Sequence, residues 1–148
     1  YSIPGIRVGW VASNTEVADI LRDYRDYTMI CAGVFDDMVA TLVLENKEAI
    51  LERNRQIVEE NLAIMDAWIA KEPKASWIRP ASVSTSFVKL DVNRPIEDFA
   101  LELLQDYGVL VVPGNRFDKE SHVRIGYCCD KEVLQKGLEK LSQFLNKC

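Results

Sequence analysis

The stretch VLVVPGNRFDKESHVRIGY, Val109–Tyr127, holds two short apolar segments separated by a polar loop. Val109–Val112 is wholly apolar and stops at the turn formed by Pro113 and Gly114, which predicts a short buried strand. His122–Tyr127 follows the polar loop and is predicted to be a second strand. These two strands are the centre from which the rest of the predicted fold is built.

The residues on either side of this stretch predict a compact α/β unit. Residues 87–92 alternate between two faces, with the even-numbered side chains of the segment on one face, as a strand requires. Residues 95–108 have the apolar spacing of a helix, with a proline at its start and a glycine at its end. A last amphipathic helix is predicted over 131–146, with Asp130 as its N-cap. Residues 74–148 can therefore surround one core.

The preceding residues predict three helices. Ser13 and Glu16 have the spacing of a capping box, and apolar residues recur at helical spacing up to about Cys31. A second helix is predicted to follow Gly33 and to run to about residue 45. A third, from residue 47 to 71, has an apolar stripe and a charged face, and a proline ends it.

The first residues predict a strand that cannot stand alone. Val8–Ala12 follows a tight Pro-Gly loop and is predicted to be a buried strand. A single strand leaves its backbone groups without partners, so residues 1–46 are expected to be a piece of a larger sheet. An independent small domain is the alternative, and the single strand argues against it.

Composition and charge narrow the function classes. The 148 residues are 48% apolar and 28% charged, with a formal net charge of −5. These values are typical of a soluble globular protein, and the absence of a basic run or patch argues against nucleic-acid binding. The apolar runs are too short to span a membrane, and no signal peptide is recognisable, so a cytoplasmic location is expected.

The cysteines do not predict a disulfide framework or a metal centre. Cys31, Cys128, Cys129 and Cys148 lack a CxxC spacing, and His122 is the single histidine. A structural zinc site needs four converging ligands, so reduced thiols and no metal are predicted. His122 shares a strand face with Arg124, but a solvated or locally bonded histidine is a simpler interpretation of its position beside a loop than a catalytic one.

The segment SIPGIRVGW, Ser2–Trp10, resembles the segment that follows the cofactor lysine in fold-type I, pyridoxal-phosphate (PLP)-dependent aminotransferases of class I and II. The long helix and the VRIG strand at Val123–Gly126 occur in the order expected for that family, and the resemblance covers essentially the whole chain. It implies an α/β fold consisting of the C-terminal part of a PLP-dependent transferase. Residues 1–46 would then be the remnant of the large cofactor-binding domain, 47–73 a long connecting helix and 74–148 the small C-terminal domain.

The resemblance also implies two site residues. Arg7 corresponds to the arginine that holds the cofactor phosphate, and a guanidinium suits that task because it can donate to two oxygens at once. Arg124 corresponds to the arginine that orients the substrate carboxylate, for which the alternative is an edge-strand arginine paired with an acid. Gly5 and Gly9 are expected to allow a close backbone approach to the cofactor or an unusual conformation. The loop that contains Phe117 is expected to lie near the substrate.

The lysine that anchors the cofactor as a Schiff base is expected just upstream of Tyr1. The resemblance therefore implies that the chain is a fragment that is expected neither to transaminate by itself nor to bind PLP, because that lysine is both the anchor of the cofactor and the carrier of the proton in the reaction. The complete enzyme is expected to be a cytoplasmic homodimer that transfers an amino group from an amino acid to a 2-oxo acid by a ping-pong reaction. Two alternatives remain open. One is a PLP-dependent C–S lyase or decarboxylase, and the other is the aminotransferase-like effector domain of a transcription regulator.

Overall fold

The computed structural model describes residues 1–147, which form two compact units, residues 1–54 and the residues from Arg55 onward. Cys148, the last of the four cysteines, lies outside the described residues. None of the helices described combines the length and the apolarity that crossing a bilayer requires. The α/β architecture predicted from the sequence is confirmed. Its elements are α1 (Thr15–Thr28), α2 (Val34–Glu45), α3 (Lys47–Ile69), β1 (Ala75–Trp77), β2 (Thr85–Leu90), α4 (Ile96–Tyr107), β3 (Val112–Pro113), a 3₁₀ turn (Gly114–Phe117), β4 (His122–Gly126) and α5 (Lys131–Leu145).

The first unit contains α1, α2 and the start of α3, and two details of the helix prediction were wrong. The N-cap of α1 is Asn14 rather than Ser13, because the Asn14 side chain accepts a hydrogen bond from the backbone N–H of Val17 at 3.0 Å. The helix ends at Thr28, three residues before Cys31. The bounds predicted for α2 and the start predicted for α3 are confirmed.

The predicted strand at Val8–Ala12 is absent from the structure. Trp10 and Val11 are 69% and 72% exposed, and this segment forms no strand. A strand needs a neighbouring strand to pair with its N–H and C=O groups, and no strand lies among the described residues of this unit.

The second unit contains a four-stranded antiparallel sheet in the order β1-β2-β4-β3. Its central pair, β2 and β4, is aligned so that Val88 lies opposite Val123 and Phe87 lies opposite Arg124. The sequence analysis missed β1, which is only three residues long. It also made β3 too long, because residue 109 is still tied to the end of α4: its N–H donates to the carbonyl of Leu103.

One face of the sheet forms the core with α4, α5 and the end of α3. The alternation predicted for β2 is confirmed, since Ser86, Val88 and Leu90 are buried. Gly108 ends α4 with φ +66°, in the left-handed region that favours glycine, and Asp130 caps α5 by accepting from the Glu132 N–H at 2.9 Å. The other buried apolar residues are Leu62, Met65, Ala75, Ile96, Phe99, Ala100, Leu103, Val111, Val123, Ile125, Tyr127, Leu134, Leu138, Leu141, Phe144 and Leu145.

A buried asparagine on α3 holds the connection between β4 and α5. The side-chain amide of Asn61, 1% exposed, donates to the carbonyls of Tyr127 and Cys129 at 2.7 and 2.8 Å. Both carbonyls belong to residues that have left the β4 ladder, so this amide replaces the partners that a strand would have supplied. Asn61 therefore fixes the route by which the chain passes from the sheet to α5.

A second polar contact ties α5 to the residues after α3. The indole N–H of Trp68 donates to the Ser142 hydroxyl at 2.8 Å, and that hydroxyl donates to a carboxylate oxygen of Glu72 at 2.6 Å. Lys74 adds a bond from its ammonium group to the carbonyl of Leu145 at 2.6 Å, which satisfies a carbonyl in the last turn of α5. These bonds fix the C-terminal half of α5 against the rest of the unit.

We expect Asn61→Ala to lower the free energy of unfolding by about 2 kcal/mol, since two buried carbonyls would each lose a donor. Urea denaturation followed by tryptophan fluorescence measures this change. Asn93→Ala is the matched control, because Asn93 is exposed and its truncation should cost under about 0.5 kcal/mol. Equal midpoints for the two variants would show that the Asn61 amide contributes nothing.

We also expect stability to fall at high pH because of Tyr127. Burial raises the pKa of this phenol, whose hydroxyl donates to the carbonyl of Val83. The folded state therefore binds the phenolic proton more tightly than the unfolded state, and this contribution is present below about pH 10 and lost above it. Urea midpoints measured from about pH 9 to about pH 11 should decrease, and they should decrease less in Tyr127→Phe. Tyr24→Phe, which alters an exposed tyrosine, should leave the wild-type slope unchanged.

Candidate functional site

Arg124 lies in β4 on the sheet face opposite the core. Its neighbours along the strand, Val123 and Ile125, point into the core, so the alternation of the strand directs the Arg124 side chain outward. It is flanked across the sheet by Phe87 of β2 and Val112 of β3. The guanidinium is therefore carried by the best-paired part of the sheet rather than by a loop.

One aromatic ring packs against this guanidinium, and a second ring supports the first. Its carbon lies 5.2 Å from the centre of the Phe117 ring, a cation–π distance. The Phe117 ring meets Phe87 edge to face, at 5.8 Å between centres and 86° between planes. Arg124, Phe87 and Phe117, together with Thr85 and Ser86, line a groove whose accessible surface is mostly apolar.

Arg124 has no hydrogen-bonding or ion-pairing partner among the described residues. Within residues 1–147, no carboxylate forms an ion pair with it and no acceptor forms a hydrogen bond with it. The alternative of an edge-strand arginine paired with an acid is therefore not what the structure shows. A ring against one face of a guanidinium leaves the N–H groups along its edge free, and that edge is where a carboxylate binds with two parallel bonds.

The 3₁₀ turn that carries Phe117 is tightly packed. A Cβ atom added to Gly114 would lie 2.2 Å from the carbonyl oxygen of Lys119 and 2.6 Å from that of His122. Only glycine allows this approach of the turn to the start of β4. The two residues that follow Gly114 are bound by Glu97, in the first turn of α4. Asn115 donates to one of its carboxylate oxygens at 2.7 Å and Arg116 donates to the other.

His122 lies at the margin of the groove. Its ring stacks on Phe87, with 4.9 Å between centres and 18° between planes, and its Nδ1 lies 2.9 Å from the carbonyl oxygen of Glu120. These contacts agree with the interpretation of His122 as a locally bonded histidine.

Arg7 lies in the other unit, on the turn at the start of the chain. The backbone N–H of Ile6 donates to the carbonyl of Ile3 at 3.2 Å, which closes the turn, and Arg7 donates from Nη1 to the carbonyl of Pro4 at 2.8 Å. The side chain is exposed, and no acid in the described part of the chain pairs with it. Its second terminal nitrogen remains available to an anion.

Gly5 and Gly9 do not adopt the unusual backbone conformation that was one of the two expectations for them. Neither Gly5 nor Gly9 has a positive φ, and a Cβ added to either would meet no atom within 4 Å. Nothing within residues 1–147 requires glycine at these two positions. Tyr1, expected to lie close to the cofactor lysine, is 43% exposed.

The described cysteines are separate thiols. Cys31, Cys128 and Cys129 are free, and their residues are exposed. The thiol of Cys128 is still partly shielded from water, and this desolvation raises its pKa. The described residues contain no cluster of three or more histidine, cysteine or acidic side chains that could hold a metal ion.

Sequence reasoning missed two residues that build the surroundings of Arg124. The alternation of residues 87–92 predicts that Phe87 and Val88 lie on different faces of their strand, but the position of Phe87 opposite Arg124 depends on the register of β2 with β4, which the sequence does not state. Glu97 had no signal beyond being an acidic residue in the first turn of a helix, where such residues are common.

Comparison with known proteins gives one consistent result. The profile of the family described as "Aminotransferase class I and II" matches residues 1–141. A PLP-dependent aminotransferase from Streptococcus suis has a solved structure that is 67% identical, with a TM-score of 0.95 over 99% of this chain and 39% of that chain.

Two curated relatives are more distant. Capreomycidine synthase of Streptomyces vinaceus is 29% identical over 98% of this chain and 38% of its own length. The probable N-acetyl-LL-diaminopimelate aminotransferase of Bacillus subtilis is 26% identical over 99% of this chain and 38% of its own length. The chain thus spans about two fifths of the length of the curated relatives it matches.

We expect Gly114→Ala to lower the free energy of unfolding by about 1–3 kcal/mol, because the added methyl group must push two backbone carbonyls away. Gly137→Ala is the contrasting control. Gly137 lies in the interior of α5 with open space around its Cα, so alanine there should stabilise the protein by about 0.5–1 kcal/mol. Urea denaturation distinguishes the two signs, and a neutral Gly114→Ala would mean that the turn does not need its close contact with β4.

Proposed function

Because the chain belongs to the class I and II aminotransferase family, we propose that it supplies the substrate-carboxylate arginine and the cofactor-phosphate arginine of a PLP-dependent aminotransferase. The amino donor is an amino acid and the acceptor is a 2-oxo acid. The observation that carries the proposal is Arg124: an outward-facing guanidinium on a central strand, packed against an aromatic ring and unpaired with any acid of residues 1–147.

Arg124 binds and orients the substrate. An amino acid keeps its carboxylate when its amino group is transferred, so a fixed guanidinium can hold both substrate and product by the same two N–H donors. Phe117 and Phe87 shield one side of that ion pair from water, which strengthens it. Orientation is the contribution of this residue, because the reacting carbon must be presented in one direction.

Arg7 holds the phosphate of the cofactor in this proposal. The residue fits a phosphate, since it is permanently charged, exposed and free of any acidic partner in the described residues. Its bond to the carbonyl of Pro4 ties the guanidinium to the turn and leaves further N–H groups for the anion. When bound, PLP supplies an electron sink for the carbanion that amino-group transfer requires.

The proposal extends to what these 148 residues lack and to how they assemble. The resemblance places the cofactor lysine just upstream of Tyr1, and none of the 148 residues takes its place. The chain by itself is therefore proposed not to transaminate and not to retain PLP. The division into 1–46, 47–73 and 74–148 is proposed to follow the domains of the complete enzyme. A homodimer is proposed as well, in agreement with the apolar side chains that the first unit exposes. These include Val17, Ile20, Tyr24, Tyr27, Ile30, Phe35, Met38 and Leu42.

The test of Arg124 uses the natural full-length gene product. We expect Arg124→Ala to lower kcat/KM for amino acids by more than about tenfold, a loss of roughly 1.4 kcal/mol of transition-state binding. Arg79→Ala is the matched control, because Arg79 is an exposed arginine of the same unit whose partner is Asp66. Product analysis in the same assay distinguishes amino-group transfer from C–S lysis and decarboxylation. A loss smaller than tenfold would contradict the assignment of Arg124.

The test of Arg7 measures the cofactor directly. We expect Arg7→Ala to weaken PLP binding by the full-length product by about tenfold or more, as followed by the visible absorbance of the bound cofactor, because a charge-assisted pair with the phosphate is lost. Arg22→Ala removes an exposed arginine of the same unit and should leave PLP affinity unchanged. Equal affinities in the Arg7 and Arg22 variants would remove Arg7 from the phosphate site.

A further inference from the structure

The carboxylate of Glu97 connects α4 to the site without touching the groove itself. It accepts from Asn115 through one oxygen, at 2.7 Å, and from Arg116 through the other. Both partners belong to the 3₁₀ turn Gly114–Phe117, and they immediately precede the phenylalanine that packs on Arg124. A helix fixed in the core is thus joined to the turn beside the candidate substrate residue.

Besides the bonds to Glu97, the turn is held by its own backbone and by the close contact of Gly114 with the start of β4. Its backbone is closed by the N–H of Lys119 donating to the carbonyl of Gly114 at 3.0 Å, and the chain leaves it through Asp118 at φ +54°, a left-handed conformation that aspartate adopts more readily than most residues. Arg116 and Phe117 are exposed. The two bonds to Glu97 are therefore the side-chain hydrogen bonds of a turn whose other side-chain contacts are those of the Phe117 ring with Phe87 and Arg124.

Glu97 is well placed for this task. It lies in the first turn of α4, where the helix dipole favours a carboxylate, and the buried neighbours Ile96 and Phe99 fix that turn against the core. A carboxylate that accepts from a guanidinium and an amide at once restricts both side chains to one arrangement. Arg124 itself is not restricted by hydrogen bonds to side chains of the described residues and has the Phe117 ring against its face.

We propose that Glu97 is a positioning residue: by binding Asn115 and Arg116 it holds Phe117 against Arg124 and so sets the direction in which the guanidinium presents its N–H donors to a carboxylate. This inference rests on the proposed function of Arg124. It adds that substrate binding depends on a carboxylate outside the groove, which acts through the 3₁₀ turn.

The structural part of the test uses the full-length product and nuclear magnetic resonance of selectively labelled arginine and phenylalanine side chains. In Glu97→Ala and Glu97→Gln we expect the ring-current shift of the Arg124 side-chain protons and their cross-peaks to the Phe117 ring to be lost or reduced. Arg116→Ala should have the same effect, and the Glu97→Gln/Arg116→Ala double variant should be no worse than the single variants, because both act on one contact. Glu102→Gln is the matched control: it removes the same charge from the same helix, where Glu102 pairs with Arg94 at 2.6 Å.

The functional part uses the full-length product with an amino acid substrate. We expect Glu97→Gln to raise KM by about fivefold to tenfold with kcat changed by less than about twofold, because a misdirected guanidinium weakens carboxylate binding without altering the chemistry. Glu102→Gln should change neither constant. A general loss of structure would lower kcat together with the melting temperature, so this split separates positioning from destabilisation.

Each outcome decides between the two claims. Persistence of the Phe117–Arg124 signals in the Glu97 variants overturns the positioning role. Loss of those signals with an unchanged KM, while Arg124→Ala still lowers kcat/KM, overturns it too and leaves the proposed function intact. If Arg124→Ala has no effect on kcat/KM, the proposed function fails and the positioning role fails with it. Loss of the signals together with a raised KM supports both.

Discussion

The antiparallel pairing of β2 with β4 is the constraint on which the second unit depends. These two strands form the centre of the sheet, and their register places Val88 opposite Val123 on one face and Phe87 opposite Arg124 on the other. A slip of β4 by one residue relative to β2 would turn the Arg124 guanidinium into the core and Val123 and Ile125 into water. The burial of Val123 and Ile125 in the core, which α4 and α5 help to form, thus keeps the Arg124 side chain on the outward face.

The parts of the fold that follow from local pattern could be predicted from the sequence. The alternation along β2, the helix ending at Gly108 and the cap at Asp130 each depend on residues close together in the chain, and all three are present in the structure. The prediction was wrong where a neighbour was needed. The segment Val8–Ala12 has the composition of a strand, but among the described residues it has no strand to pair with, and composition alone cannot supply one.

The side-chain contacts around the candidate site could not be predicted from the sequence. The resemblance to a family pointed to Arg7 and Arg124 as positions, and the structure adds where their side chains lie and what they touch. The contact between Phe117 and Arg124 arises from a turn seven residues upstream, and the contact of that turn with Glu97 spans 18 and 19 residues. Such contacts depend on how α4 packs on the sheet, which no periodicity in the chain expresses.

The two faces of the sheet divide the work of the second unit. The side chains that hold the unit together point one way, and Phe87, Arg124 and the ring of Phe117 lie on the other side, where they contribute little to the core. Residues on the outward face can therefore be substituted with little loss of stability, since surface substitutions usually change the free energy of unfolding by under about 0.5 kcal/mol. The outward face, including the groove beside Arg124, can thus diverge between relatives while the core that supports the sheet is retained.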